Sequence, residues 1–228
     1  MKRTPIVIAG LLALFSGCEK HPSASSPAAT TRPAEQQAAA EPDGWIAMET
    51  LQPGHWQPIN GAAELGWDAA SGVLQIHFGN DLNGVRWTGP LPTAPYELEL
   101  EARRISGNDF FCGLTFPVRS ENESVTFVVG GWGGDIVGIS SIDGLDASEN
   151  STASMQQFET GRWYRLRVRV EHERLQAWID DRPVVDADIL DRRLSLREGP
   201  IEDCAPLGLA SWATLAEMRG MRWRQLAD

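Results

Sequence analysis

Four glycines surround one tryptophan in the segment Gly130-Gly-Trp-Gly-Gly-Asp135. Glycine has no side chain, so the backbone beside Trp132 lets another molecule approach the indole closely. The competing arrangement is a Gly-rich bulge that tucks the indole inward. Acids follow at Asp135, Asp143, Asp146 and Glu149, with Asn150 beside them. Asp135 and Asp143 are the candidates for acid–base catalysis, which needs two carboxyl groups about 5 to 10 Å apart and one pKa raised by burial. Asp143, Asp146 and Glu149 also offer hard oxygens to Ca²⁺ or another divalent metal, in a spacing that is not an EF-hand loop. A solvated acidic turn accounts for the same residues without any ligand.

The elements that must position these residues are strands. Tyr96, Leu98, Leu100 and Ala102 alternate with Glu97, Glu99, Glu101 and Arg103, giving one dry and one wet face. Arg165, Arg167 and Arg169 alternate in the same way with Leu166, Val168 and Val170, and the arginines are placed to pair across strands with Glu97, Glu99 and Glu101. Pairs of that kind contribute only a few tenths of a kcal/mol each when exposed. The polar tetrapeptide Glu171-His-Glu-Arg174 predicts a tight connection to Leu175–Ile179. Further strands are expected at 73–78, 85–88, 110–116, 125–129, 136–139, 207–212 and 221–226, and one short helix at most within 188–196. About ten short strands with Gly, Pro, Asp and Asn between them indicate an all-β two-sheet sandwich or jelly roll. Trp87, Trp163 and Trp223 are expected in its core.

The front of the chain reads differently. Lys2 and Arg3 precede an apolar run from Ile6 to Phe15, then Ser16-Gly17 and Cys18. This is the order of an export signal, too short for a permanent membrane span. A cysteine behind two small residues predicts a lipoprotein signal over 1–17 with lipid on Cys18, an ordinary signal peptide being the alternative. Residues 18–42, rich in Pro, Ala, Ser and Thr, form a disordered tether with a reach of roughly 25 Å, and 43–228 is the sandwich domain. The predicted address is the bacterial cell envelope, at the outer membrane or periplasmic face, with membrane contact only through the lipid. The formal net charge of −11 excludes nucleic acid as a partner and excludes docking on anionic lipid through basic patches. Cys112 and Cys204 are left to form a disulfide or to remain as two buried thiols.

Trp163-Tyr-Arg-Leu-Arg-Val-Arg-Val170, Leu175-Gln-Ala-Trp-Ile-Asp-Asp181 and a late strand together resemble the concanavalin-like laminin-G sandwiches. With Phe110-Phe-Cys-Gly-Leu-Thr-Phe-Pro117, Gly130–Asp135 and Ser141–Asn150 added, nearly all of 43–228 resembles the 3-keto-disaccharide hydrolase family. The resemblance implies a concanavalin-like jelly roll and a saccharide ligand, with hydrolysis of oxidised disaccharides in some members. Many members carry a Gln and a His near the end of a late Gly-rich strand, where this sequence reads Pro206-Leu-Gly-Leu-Ala-Ser-Trp212. A lectin-like module without turnover and an envelope scaffold are the alternatives. Sugars are held by flat aromatic faces and planar polar groups, so Trp132, Trp212, Trp178 and His77 are the sugar-binding candidates.

Overall fold

A computed structural model describes residues 43–48, 54–79 and 81–227. The signal, Cys18 and the tether lie outside the described residues. Among the described residues fifteen strands run in chain order: β1 (Ile46–Ala47), β2 (Trp56–Pro58), β3 (Leu65–Asp68), β4 (Val73–Ile76), β5 (Leu82–Trp87), β6 (Tyr96–Gly107), β7 (Cys112–Ser120) and β8 (Glu123–Gly131). They continue as β9 (Ile136–Ser140), β10 (Ser154–Met155), β11 (Tyr164–Val170), β12 (Arg174–Ile179), β13 (Arg182–Asp188), β14 (Gly208–Trp212) and β15 (Thr214–Gln225). The one helical turn among the described residues is 3₁₀, at Pro200–Cys204, and 188–196 contains no helix.

The strands form two antiparallel sheets. One has the order β13-β12-β11-β6-β15-β4-β3, with β1 pairing onto β15; the other is β10-β9-β8-β7-β14-β5-β2. This is the two-sheet sandwich expected from the alternation. Tyr96, Leu98, Leu100, Leu166 and Val168 of the first sheet meet Leu114, Phe116, Phe127 and Val129 of the second in one core, all nearly or fully buried. The Tyr96 hydroxyl donates to the Pro117 carbonyl between the sheets, which satisfies a polar group that burial would otherwise leave costly. The 171–174 connection closes through Glu171 N–H donating to the Arg174 carbonyl at 2.9 Å.

The arginine row meets the glutamate row in the expected register, Arg165 opposite Glu101, Arg167 opposite Glu99 and Arg169 opposite Glu97. The ion pairs are arranged otherwise. Arg169 and Arg224 both hold Glu97, at 2.7 and 2.6 Å, and Arg167 stands 3.7 Å from the same carboxylate. Glu99 and Glu101 are taken by Arg222 and Arg219 of β15, while Arg165 turns to Asp181. Strand β6 lies between β11 and β15, so its acids face cations on both sides. The Glu97 side chain is 0% exposed, and so exceeds the weak surface pair expected from sequence. Burial alone would push its carboxyl up, but hydrogen bonds from Arg169 and Arg224, with their charges, bring it below the usual range.

Cys112 and Cys204 are both buried free thiols. Burial pushes the Cys204 thiol up to about 12 and Cys112 higher still, so both are inert as nucleophiles near neutral pH. Trp87 is buried and Trp223 packs against the core. Trp163 instead sits on the outer face of the first sheet, with the Arg103 and Arg219 guanidinium carbons 4.5 and 4.1 Å from its ring.

Replacing Glu97 by Gln removes a buried partner from three cations and is expected to lower the unfolding free energy by about 2–4 kcal/mol. Glu101→Gln, whose pair with Arg219 is more exposed, should cost under about 1 kcal/mol. The folded-state carboxyl of Glu97 is held low, so its contribution is complete above the unfolded carboxylate range and is lost as pH falls through the folded value. Urea unfolding should therefore show a constant gap between the native protein and Glu97→Gln near neutral pH that narrows once pH falls below the usual carboxylate range. An unchanged gap would refute this account.

Candidate functional site

The second sheet uses its inner residues for the core and leaves its outer residues for a cleft. On β8, Val125, Phe127 and Val129 point inward, while Thr126 and Val128 face the cleft. The cleft has a volume of about 290 Å³ and is lined by Leu82, Asp109, Phe110, Thr126, Val128, Trp132, Ser140, Arg197, Glu198, Pro200, Ile201 and Trp212. The 3₁₀ turn that begins at Pro200 is one wall. The Phe110 and Trp212 rings are 6.4 Å apart, and the Trp212 N–H donates to the Phe110 carbonyl at 3.0 Å.

Trp132 is presented by the hairpin between β8 and β9. Its φ is 48° and that of Gly133 is 96°, and the Gly134 N–H donates to the Gly131 carbonyl at 3.2 Å. This is the sign pattern of a type I′ turn, whose first central position ordinarily falls to Asn, Asp or Gly. A tryptophan there is under left-handed strain of about 1 kcal/mol. Trp132 is 39% exposed as a residue and lines the cleft, so the open arrangement holds and the inward tuck does not. Asp109 Oδ1 accepts the Trp132 N–H at 3.2 Å and the Phe110 N–H at 2.7 Å.

A second chain of contacts reaches Trp132 from the other side. Ser140 and Ser141 hydroxyls donate to Asp146 Oδ1 at 3.2 and 3.3 Å, and Arg197 Nη1 lies 3.4 Å from Asp146 Oδ2. The Arg197 guanidinium carbon is 6.0 Å from the Trp132 ring centroid. Its side chain is 60% exposed, which leaves it able to donate into the cleft.

The structure thus brings Trp132 and Trp212 together and separates them from the other sequence candidates. Trp178 lies on the outer face of the first sheet, with Arg167 and Arg169 guanidinium carbons 4.4 and 5.6 Å from its ring. His77 follows β4 of that same sheet and approaches Glu64 at 3.9 Å. Neither lines the cleft: a polar strand face identifies an outer surface but not the sheet that bears it. Asp135 and Asp143 do not line it either. Asp143 accepts the Arg193 N–H at 2.9 Å and pairs with Arg192 at 2.9 Å, which commits it to joining two loops. Asp135 lies near enough to the buried Arg104 for its charge to act there. Asp143, Asp146 and Glu149 do not assemble a cation cage, and among the described residues no three His, Cys, Asp or Glu side chains converge on a metal position. Asp143 and Asp146 are neutralised by separate arginines instead.

Sequence reasoning missed Asp109, Phe110, Ser140, Arg197 and Glu198. The Gly107-Asn-Asp109 turn before an aromatic pair was a signal for the first two. Arg197 and Glu198 stand in a loop between distant strands, and no periodicity places such a loop.

The carbohydrate-binding module CBM66 of Bacillus subtilis has a similar fold, with a TM-score of 0.50 at 18% identity over 75% of this chain and 96% of that one. The Crh5 transglycosylase in complex with NAG is similar at a TM-score of 0.53 and 10% identity, over 84% and 87% of the two chains. Identities this low establish the shared jelly-roll fold alone. Sequence comparison with curated proteins finds no match. The family is fixed by sequence over most of the domain: residues 49–226 match the 3-keto-α-glucoside-1,2-lyase-like domain, and the chain belongs to that family.

Proposed function

We propose that this domain takes a saccharide in the cleft on the second sheet, its apolar ring face against Trp132 and its hydroxyls on the polar wall. The observation behind this reading is the meeting of three aromatic rings, Trp132, Trp212 and Phe110, with Asp109, Ser140, Arg197 and Glu198 in one open cleft. Pyranoses need that combination, an apolar platform beside fixed donors and acceptors. A volume of about 290 Å³ is at the small end of ligand pockets. It suits one or two rings at a chain end rather than a long glycan threaded through. Family membership makes 3-keto-glycosides the first saccharides to offer.

Turnover is the second reading, favoured by the family and by the exposed Glu198 on the cleft wall. A ketone at C3 acidifies the hydrogen on C2. A carboxylate that removes it lets the C1–O bond break by elimination, whereas attack of water at C1 is hydrolysis. The products differ, since elimination leaves a conjugated enone with a new ultraviolet band and hydrolysis releases a 3-keto sugar. The proposal extends to the address: processing before Cys18, acylation of that cysteine and display of the domain 43–228 at the bacterial cell envelope. Its support is the signal and tether composition at the front of the chain.

Calorimetry with 3-keto-trehalose, 3-keto-lactose and their parent disaccharides should show binding that Trp132→Ala weakens by about tenfold or more. Trp132→Asn should lose affinity to the same degree yet unfold at no lower urea concentration, because relief of the left-handed strain offsets the lost burial of a half-exposed indole. Affinity unchanged in both variants would remove the cleft from the mechanism. Incubation of the same 3-keto sugars, with and without EDTA, should reveal the enone or the free keto sugar if turnover occurs, and neither if the domain only binds. For the address, incorporation of labelled palmitate in the native bacterium should vanish in Cys18→Ala. Labelling that persists there would end the lipoprotein assignment.

A further inference from the structure

Asp109 is a carboxylate in a saccharide cleft, which invites an acid–base role. Its contacts indicate a different one. Oδ1 accepts two backbone N–H groups, those of Phe110 and Trp132. The Asp109 N–H donates to Thr214 Oγ1 at 3.2 Å, and that hydroxyl donates to the Asp109 carbonyl at 3.1 Å. Both ends of the residue are therefore fixed to β15, while its carboxylate reaches the turn that displays the indole.

The same turn is gripped from within the sandwich. Arg104 is only 8% exposed and its Nη2 donates to the carbonyls of Asp109, Gly130 and Gly134 at 3.2, 3.4 and 2.9 Å. Its guanidinium carbon stands 5.4 Å from the Phe111 ring centroid, and its Nε has no partner among the described residues. A cation buried with an unsatisfied donor is costly, and this one is placed where it ties the Asp109 segment to both ends of the hairpin turn. A Cβ at Gly130 would stand 2.7 Å from Arg104 Nη2, so the glycine is required for that approach. Strained backbone of the kind seen at Trp132 persists only where its surroundings over-determine it.

We propose that Asp109 and Arg104 form one brace that holds the Trp132 indole open in the cleft, with Asp109 acting as a hydrogen-bond acceptor and positioning residue rather than as an acid or base. The inference rests on the saccharide reading of the cleft for its consequence, but its geometry can be tested without any ligand.

The test uses the indole N–H resonance of Trp132, identified by its loss in Trp132→Phe, and affinity for 3-keto-trehalose and 3-keto-lactose. In Asp109→Ala and Arg104→Met the Trp132 resonance should shift or broaden while the other indole resonances stay. Affinity should fall about tenfold or more in both. Asp109→Asn keeps the acceptor and removes the charge, so it should rescue the resonance and most of the affinity lost in Asp109→Ala. Should Asp109→Ala not fold, Arg104→Lys, which keeps the charge without the planar fork, should disturb the resonance in its place. A resonance unmoved in Asp109→Ala and Arg104→Met overturns the brace. So does an Asp109→Asn variant as impaired as Asp109→Ala, which would return Asp109 to an ionisable role. Lack of binding by the native protein counts against the saccharide reading alone and leaves the resonance to decide the brace.

Discussion

In a β-strand successive side chains leave opposite faces, so the second sheet supplies core and cleft from the same backbone. Leu114 and Phe116 of β7, with Phe127 and Val129 of β8, are buried against the first sheet. The residues between them face outward, and Thr126 and Val128 form part of the cleft floor. A one-residue slip would exchange the two sets. Register is thus fixed by the core, and the cleft inherits its floor from that registration. Thr115 and Thr126, paired across β7 and β8 through hydroxyls 2.9 Å apart, show how buried polar side chains of the outer face are satisfied.

The first sheet meets the same constraint with a different outcome. Its outer face is a lattice of glutamates on β6 between arginines on β11 and β15, with Glu97 fully enclosed. Indoles join the lattice as platforms for cations, Trp163 for Arg103 and Arg219, Trp178 for Arg167 and Arg169, Trp45 for Arg222 and Arg224. Stacking of this kind contributes about 0.5–1 kcal/mol where solvent reaches it. Arg169, Arg219, Arg222 and Arg224 of that face hold their carboxylates at 2.6 to 2.8 Å, whereas Arg197, 60% exposed and 3.4 Å from its carboxylate partner, retains donors for the cleft. Tryptophans stand on both outer faces, and it is the partners of the indoles that separate structure from site.

This difference also explains what sequence could and could not disclose. Alternation in Tyr96–Arg103 and Arg165–Val170 was legible because period two is a local property, and the sandwich followed from it. Pairing of Arg169 with Glu97 was legible too. The capture of Glu99 and Glu101 by Arg222 and Arg219 depends on which strand lies on the far side of β6, a non-local fact. Trp178 and His77 were read as sugar-binding candidates, but both belong to the first sheet, and which sheet carries a strand is set by topology. Gly130–Gly134 singled out Trp132, since glycine density at a tryptophan is local, but left open whether the indole faced out or tucked inward. The Gly107–Asp109 turn marked a loop before an aromatic pair but not the task of Asp109, since any acid or amide in a turn can accept backbone N–H groups.

Trp132 concentrates the conflict between stability and recognition. A type I′ position favours residues without a bulky Cβ substituent, and the hairpin would form more readily with Asn or Gly there. The indole is retained at a left-handed φ of 48°, with Gly133 and Gly134 beside it and Asp109 on its amide. Glycine neighbours alone would leave the turn free to vary. Hydrogen bonds from Arg104 to the Gly130 and Gly134 carbonyls, and from the Trp132 N–H to Asp109, remove that freedom, which lowers the entropy an indole would otherwise lose on meeting a flat ligand. The strain at one residue and the buried guanidinium behind it are then two parts of one arrangement, a rigid aromatic face held at the mouth of a small cleft.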